Sequence, residues 1–356
     1  MRARLEYSYD DIMAERPYAR RIRRGDVRFH GGLNEDGTYV PPRSLHRRDA
    51  IRAWTERLRA DGLATRVIDP AGLDLRFFPS VDQAKLLLRR GANGAMTRIL
   101  TLIGITEGFG NDGIRAMPRP QLQPLFAESI AGTCLDHLYR GLLDAHGNDE
   151  AGCHPEAGHD GMWYAIRDAA LGNPTVTPDM FENLPIAPPP GYVGPAKPSP
   201  EAIGVRSMEL KFPTLDPMFE VLLLILTQLL VIELVAFGTF TWAKDVLRDP
   251  ECSLAPEFAP RMVDYVTEDE SIHVAYLQCA LAEVRSRTLI GSDGGRLSGA
   301  EVIDSVSARI LSVNRDGNRR ERLLRYRMDQ IRRELGERPD GGEILAQFQA
   351  LGPIPA

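Results

Sequence analysis

The sequence predicts a mainly α-helical protein: a four-helix bundle with additional helices and a long proline-rich crossover between its halves. Three observations lead there. Positions 221–237 hold 14 apolar residues of 17, with neither Pro nor Gly among them, which describes a helix buried on nearly every side. Segments around 124–139 and 263–277 place apolar residues at helical spacing with acids between them. Eleven prolines stand between Asn173 and Pro217, too many for a long helix or a central strand, so this stretch is expected to cross over the surface.

Taken in order, residues 1–79 read as an N-terminal accessory arm. Arg20 to Arg24 is a short basic run whose expected place is a solvated face, and Asp36-Gly37 marks a tight turn. Positions 44–63 read as one amphipathic helix carrying Ile51, Trp54 and Leu58, while His30 and His46 fall in polar segments where exposure is expected. The helical body, 80–290, opens on Ser80 with Gln83 three residues later, a capping-box signature, and its first helix is expected to run to about Gly110. The crossover 173–217 lies inside this body. Residues 291–356 form a C-terminal helical extension, in which Ser298 and Glu301 cap a helix through Val302, Val306 and Ile310, and a charged helix over 319–335 is expected on the outside.

The buried stretch contains Glu233, on a face with Leu226, Leu230, Phe237 and Phe240. A carboxylate there either takes up a proton or finds a cation. Downstream, Glu270 and His273 are three apart, on a face that also carries Val263, Val266 and Leu277. Glu156-Ala-Gly-His159 repeats that spacing at the head of a periodic segment, and Glu128 is aligned with Leu135 and Tyr139 in the segment before it. The order is therefore Glu128, Glu156-x-x-His159, Glu233, Glu270-x-x-His273, the arrangement a four-helix two-metal bundle requires. Glu107 and His137 are the rivals to Glu128. Glu107 is separated from Glu156 by Pro118, Pro120 and Pro124, and His137 faces Ile130, Thr133 and Cys134, as a hydrogen-bonded core histidine would.

Over roughly 120–287 this order of residues resembles the ferritin-like di-iron carboxylate superfamily, its oxygenases and oxidases more than its storage ferritins. The resemblance implies a ferritin-like bundle binding two iron ions, or iron and manganese, with Glu156 and Glu270 bridging, Glu128 and Glu233 each capping one ion, and His159 and His273 completing the two spheres. It implies an O2-dependent oxidation of a small organic substrate. Tyr276, within a turn of His273, is the residue read as catalytic, and Trp163, close to His159, is a second aromatic candidate or an ordinary core residue.

The formal charge of −6 argues against nucleic acid as a partner, and four cysteines without C-x-x-C spacing suit a reducing cytoplasm. The N-terminal residues lack an apolar signal core, so no secretion is expected. A membrane-associated helix through 218–242 is one alternative, disfavoured because an acid at mid-bilayer costs roughly 2.5–3.5 kcal/mol and this stretch holds Glu220 and Glu233. A non-enzymatic metal-binding or iron-handling bundle is the other. A homodimer is compatible with either.

Overall fold

Capping side chains set where the first elements begin. In the computed structural model, which describes residues 4–177, 209–315 and 317–354, Ser8 and Asp11 close a capping box at the head of α1 (Tyr9–Met13). A three-stranded antiparallel sheet follows, β1 (Arg20–Arg24), β2 (Val27–Leu33) and β3 (Tyr39–Val40), in the order β1-β2-β3. Its second hairpin turns where Asn34 N donates to Thr38 O and Gly37 takes φ +86°, the turn expected at Asp36-Gly37. The next helix, α2 (Arg47–Ala60), buries the expected Ile51, Trp54 and Leu58.

The expected capping box of Ser80 and Gln83 is present at the head of α3 (Val81–Arg89). The single helix anticipated to about Gly110 is in fact two, because Gly91 takes a left-handed φ of +70°; the chain restarts as α4 (Asn93–Arg115). A second correction concerns 124–139, read as a buried helix. Pro118, Pro120 and Pro124 precede it, Gly132 and Gly141 have φ +67° and +116°, and the chain makes turns until α5 (Leu143–Ala151). After residues 152–158 comes α6 (His159–Leu171).

Most of the proline-rich crossover lies outside the described residues. Asp216 caps the long α7 (Pro217–Leu247), accepting from Phe219 N at 2.9 Å, with Pro217 at the first helical position. Inside α7, Phe219, Leu222, Leu223, Leu226 and Leu230 are fully buried, each contributing about 1.5–3 kcal/mol. The buried carboxylate of Glu220 accepts from the backbone N–H groups of Lys211 and Phe212 at 2.7 and 3.1 Å. By length and composition α7 is apolar enough to cross a membrane, and 56% of its most apolar window is buried within the fold. Gly238 is required where residue 75 crosses α7, since a Cβ there would sit 2.1 Å from the Leu75 carbonyl oxygen.

The remaining helix of the core is α8 (Phe258–Arg285), followed by a hairpin of β4 (Thr288–Ile290) and β5 (Arg296–Ser298), then α9 (Gly299–Arg315), α10 (Gly317–Gly336) and α11 (Gly341–Ala350). The packing is densest where α7 meets α8 and where α4 meets both α5 and α6, and α6 in turn lies against α8. These contacts make four helical walls, one of them interrupted between α5 and α6. The charged 319–335 helix is not wholly outside, because Met328, Ile331 and Leu335 bury one face with Leu87 and Phe348.

Candidate metal centre

Every wall contributes to one buried polar cluster. From α8 come Asp269, Glu270 and His273, from α7 Glu233, from α4 Glu107, from α5 His146, Asp149 and Glu150, and from the first residue of α6 His159. Three groups of facing donor atoms result among the described residues, one of them His30, His159 and Asp269 and the other two of four residues each. Glu107, Glu150, His159 and Glu270 form one; His146, Glu150, Glu233 and His273 form the other, and within each the atoms lie within 4.8 Å of one another. His159 Nδ1 is 3.0 Å from Glu270 Oε1 and 3.4 Å from Glu150 Oε1, while His273 Nδ1 is 2.7 Å from Glu270 Oε2 and 3.2 Å from Glu150 Oε1. Glu150 and Glu270 therefore stand between the two groups, where carboxylates can bridge two ions.

The donor set fits metal ions. Glu150 Oε1, Glu270 Oε1, His159 Nδ1 and His146 Nε2 are all buried without a hydrogen-bond partner, an arrangement that native interiors avoid unless something else satisfies the atoms. Four carboxylates and three imidazoles are hard to borderline ligands, and two divalent cations would neutralise the four acids. Without cations the cluster shares protons instead. Burial, reinforced by the charges of Glu150 and Glu270, raises the Glu107 carboxyl well above the ordinary range, and burial with the same two charges does so for Glu233. Burial opposes charge on His159 and His273, yet the neighbouring carboxylates hold both imidazoles well above the ordinary histidine value. Burial and the charge of His273 lower His146, favouring its neutral imidazole.

Each of two histidines is oriented by an acid from the other half of the bundle. Asp149 Oδ2 accepts from His273 Nε2 at 2.9 Å, and Asp269 Oδ2 accepts from His159 Nε2 at 3.3 Å. Such contacts fix which nitrogen a bound metal would meet. Behind Asp149 stand Arg43, which donates to Oδ1, and Arg47, whose Nη2 is 2.7 Å from Oδ2. Burial opposes the Asp149 charge, but these two cations hold its carboxyl well below the ordinary range. Behind Asp269 stand the Tyr39 hydroxyl, donating at 2.7 Å, and His30 Nε2 at 3.3 Å. His30 is thus buried, not exposed as its polar sequence context suggested: His30 N donates to Ala157 O at 3.0 Å and Ala157 N to Arg28 O at 2.8 Å, so β2 is laid along the entry to α6.

Of the residues singled out in the sequence, His159, Glu233, Glu270 and His273 come together here. Glu128 does not: it is exposed on a turn and accepts from Thr288 N at 3.0 Å. Neither does Glu156, which lies before the helix that His159 begins and pairs with Arg21. Glu107, the rival to Glu128, is in the cluster. His137 is a core histidine, with Nδ1 donating to Thr133 O at 2.6 Å and Nε2 accepting from Tyr7 N at 3.0 Å. Tyr276 is buried with its hydroxyl hydrogen-bonded to His146 Nδ1 at 2.8 Å, so it sets the orientation of that imidazole. Trp163 is fully buried against Phe240. His146 and Glu150 were missed. Two signals mark them: a four-residue spacing that shares one helical face, and the dipeptide Asp-Glu at both 149–150 and 269–270.

Fold and site together define a mainly helical protein with a buried carboxylate and histidine cluster able to hold metal, compatible with a two-iron centre. No protein-family model matches the chain, and neither a curated protein nor a solved structure does.

Proposed function

We propose that this chain is a ferritin-like carboxylate protein that holds two iron ions, or iron and manganese, and uses O2 to oxidise or oxygenate a small organic substrate. The observation that carries the reading is the pair of four-residue donor groups sharing Glu150, with unpartnered atoms of Glu150, Glu270, His146 and His159 turned toward one another. Glu150 and Glu270 would bridge, Glu107 and His159 would complete one sphere, and His146, Glu233 and His273 the other. Two such ions bind and reduce O2 when electrons are supplied.

The protein residues exclude water from the reaction. The histidine side is sealed, with His146, His159 and His273 all fully buried. Glu107 and Glu233 keep 10% and 7% of their side chains exposed, so substrate and O2 are proposed to approach between α4 and α7, where the acids can shift to open a coordination position. Asp149 and Asp269 hold the imidazoles of His273 and His159 fixed during that change. The four cysteines are free, which suits a reducing cytoplasm, the proposed location.

Metal analysis of protein produced with added iron tests the reading. About two ions per chain are expected, and replacing Glu150 by Ala is expected to remove both, since it belongs to each group. Oxygen uptake should stop near one turnover per centre until an organic substrate and electrons are added. A protein without bound metal, or one that mineralises iron far beyond two ions per chain, would overturn it.

A further inference from the structure

Behind Asp149 stand guanidinium groups, which cannot ligate a cation, but behind Asp269 stands an imidazole, which can. His30 lies on β2, is 1% exposed, and has no hydrogen-bond partner at either ring nitrogen. Asp269, fully buried on α8, leaves its Oδ1 without one as well. Native interiors rarely leave three polar atoms unsatisfied in two neighbouring side chains unless something else satisfies them. The Nε2 atoms of His30 and His159 each lie 3.3 Å from Asp269 Oδ2, and the three donor atoms are within 4.8 Å of one another. The two rings stand 78° apart with centroids at 5.2 Å, so they converge on the carboxylate and do not stack. Tetrahedral zinc with bonds of ~2.0–2.1 Å spaces its donors about 3.3 Å apart. The Tyr39 hydroxyl, 2.7 Å from the same oxygen, is a fourth donor at that carboxylate.

We propose that His30, His159 and Asp269 hold a third cation, zinc(II), which clips the N-terminal arm to the bundle. The site stands on its own donors and needs no iron in the pair. Two imidazoles and one carboxylate at this compact spacing favour zinc over Fe(II) or Mn(II), which the order of divalent affinities places lower. β2 supplies His30, α6 His159 and α8 Asp269, so the cation joins three elements far apart in sequence. The ring of His159 serves both places, with Nδ1 facing Glu150 and Glu270 and Nε2 facing the third cation. The Nε2 proton of His159 leaves to water as zinc binds. The Asp269 carboxylate and the resulting imidazolate then cancel the two positive charges of the ion, as a site closed to solvent requires.

Metal analysis of the full chain, produced with both iron and zinc and freed of unbound ions, tests the site. Wild type is expected to carry about two irons and about one zinc. His30→Ala, and His30→Gln, which keeps a hydrogen-bond donor toward Asp269, should each lose the zinc and keep the irons. Folded Glu150→Ala should do the reverse, since Glu150 belongs to both groups of the pair and not to the third. A second readout needs no variant: in iron-loaded wild type, stoichiometric zinc should slow amide exchange in β2 about tenfold or more, because the ion binds only the docked arm. Two irons without zinc in the wild type would overturn the clip and leave the two-iron reading standing. One zinc that is lost with His30, in a chain that takes up no iron, would sustain the clip and overturn the two-iron reading. Zinc that survives both His30 variants, zinc that leaves with Glu150, or exchange in β2 that ignores zinc would each overturn the clip.

Discussion

Asp149 lies 2.9 Å from the Nε2 of His273 on the opposite half of the bundle, and it joins that imidazole to the buried cations Arg43 and Arg47. Two different losses follow from changing it. Asp149→Asn removes the charge that orients His273 and is expected to weaken Fe(II) binding about 10–100-fold. Asp149→Ala also leaves the buried Arg47 without a carboxylate and Arg43 with only Glu15, 3.8 Å away, and should cost about 3–5 kcal/mol of stability. The parallel change Asp269→Asn touches a tyrosine and a histidine instead of arginines, so it should lower metal affinity with a smaller loss of stability. Anaerobic Fe(II) titrations and denaturant melts of the three variants measure both effects; equal stability losses at the two aspartates would contradict the argument.

Glu150 and Glu156 make a sharp pair of controls. Glu150→Ala is expected to abolish binding of both ions. Glu156→Ala should keep two ions per chain and shift stability by less than about 1 kcal/mol, because its pairing with Arg21 is partly solvent-exposed. Metal content of the purified variants decides between them, and loss of metal in Glu156→Ala would return Glu156 to the ligand set.

That contrast shows what the sequence makes legible. The α7 and α8 half can be read directly, because Glu233 interrupts an unbroken apolar run and Glu270 and His273 share one continuous helical face. The other half hides its pattern in a break. Glu150 lies in the last turn of α5 and His159 begins α6, and they meet because the chain doubles back so tightly that a Cβ on Gly158 would lie 2.6 Å from the carbonyl oxygens of Asp149 and Glu150. Helical periodicity cannot be followed through such a turn, and it leaves Glu156-x-x-His159 as a spacing without a shared face. Tyr39 and His30 were illegible for another reason: their strands look polar and turn-rich, and only packing against α8 buries Tyr39 and against α6 and α8 buries His30.

The protons held by the metal-free cluster set a pH dependence. His159 and His273 have folded values raised above the ordinary 6.5, so their contribution to stability is complete below that value and is lost as pH rises through the folded value. Glu107 and Glu233, raised above their ordinary 4.5, act with the same sign, and their contribution is complete only below that lower value. Chelated protein should therefore lose stability as pH rises above about 6.5, by up to about 1.4 kcal/mol per pH unit for each proton released. Fe(II) must displace these protons to bind, so the extra stability given by metal should grow over the same window. Melting curves with chelator and with anaerobic Fe(II) across that range are expected to diverge as pH increases; parallel curves would mean that the ligands are already deprotonated.

Glu233 sets stability against function most directly. It is 5% exposed on a helix face otherwise apolar, its carboxyl is raised well above the ordinary range by burial and by the charges of Glu270 and Glu150, and its Oε1 lies 3.0 Å from His146 Nε2. In the metal-free state this is a buried polar group that makes no hydrogen bond to its neighbour His146. Replacing it by Leu removes that desolvation cost at the expense of the His146 contact, and Glu150 Oε1 stays 3.4 Å from the same nitrogen. The metal-free variant is expected to be more stable by about 1–2 kcal/mol, in line with exchanges of buried polar groups for apolar ones. The loaded variant should bind fewer ions and recover little of the stabilisation that Fe(II) gives the wild type, because that gain scales with the logarithm of affinity. Thermal melts of both proteins, each with chelator and with Fe(II), measure the four states. A metal-free variant that melts lower than wild type, together with full stabilisation by Fe(II), would make Glu233 a structural partner of His146 and remove it from the metal centre.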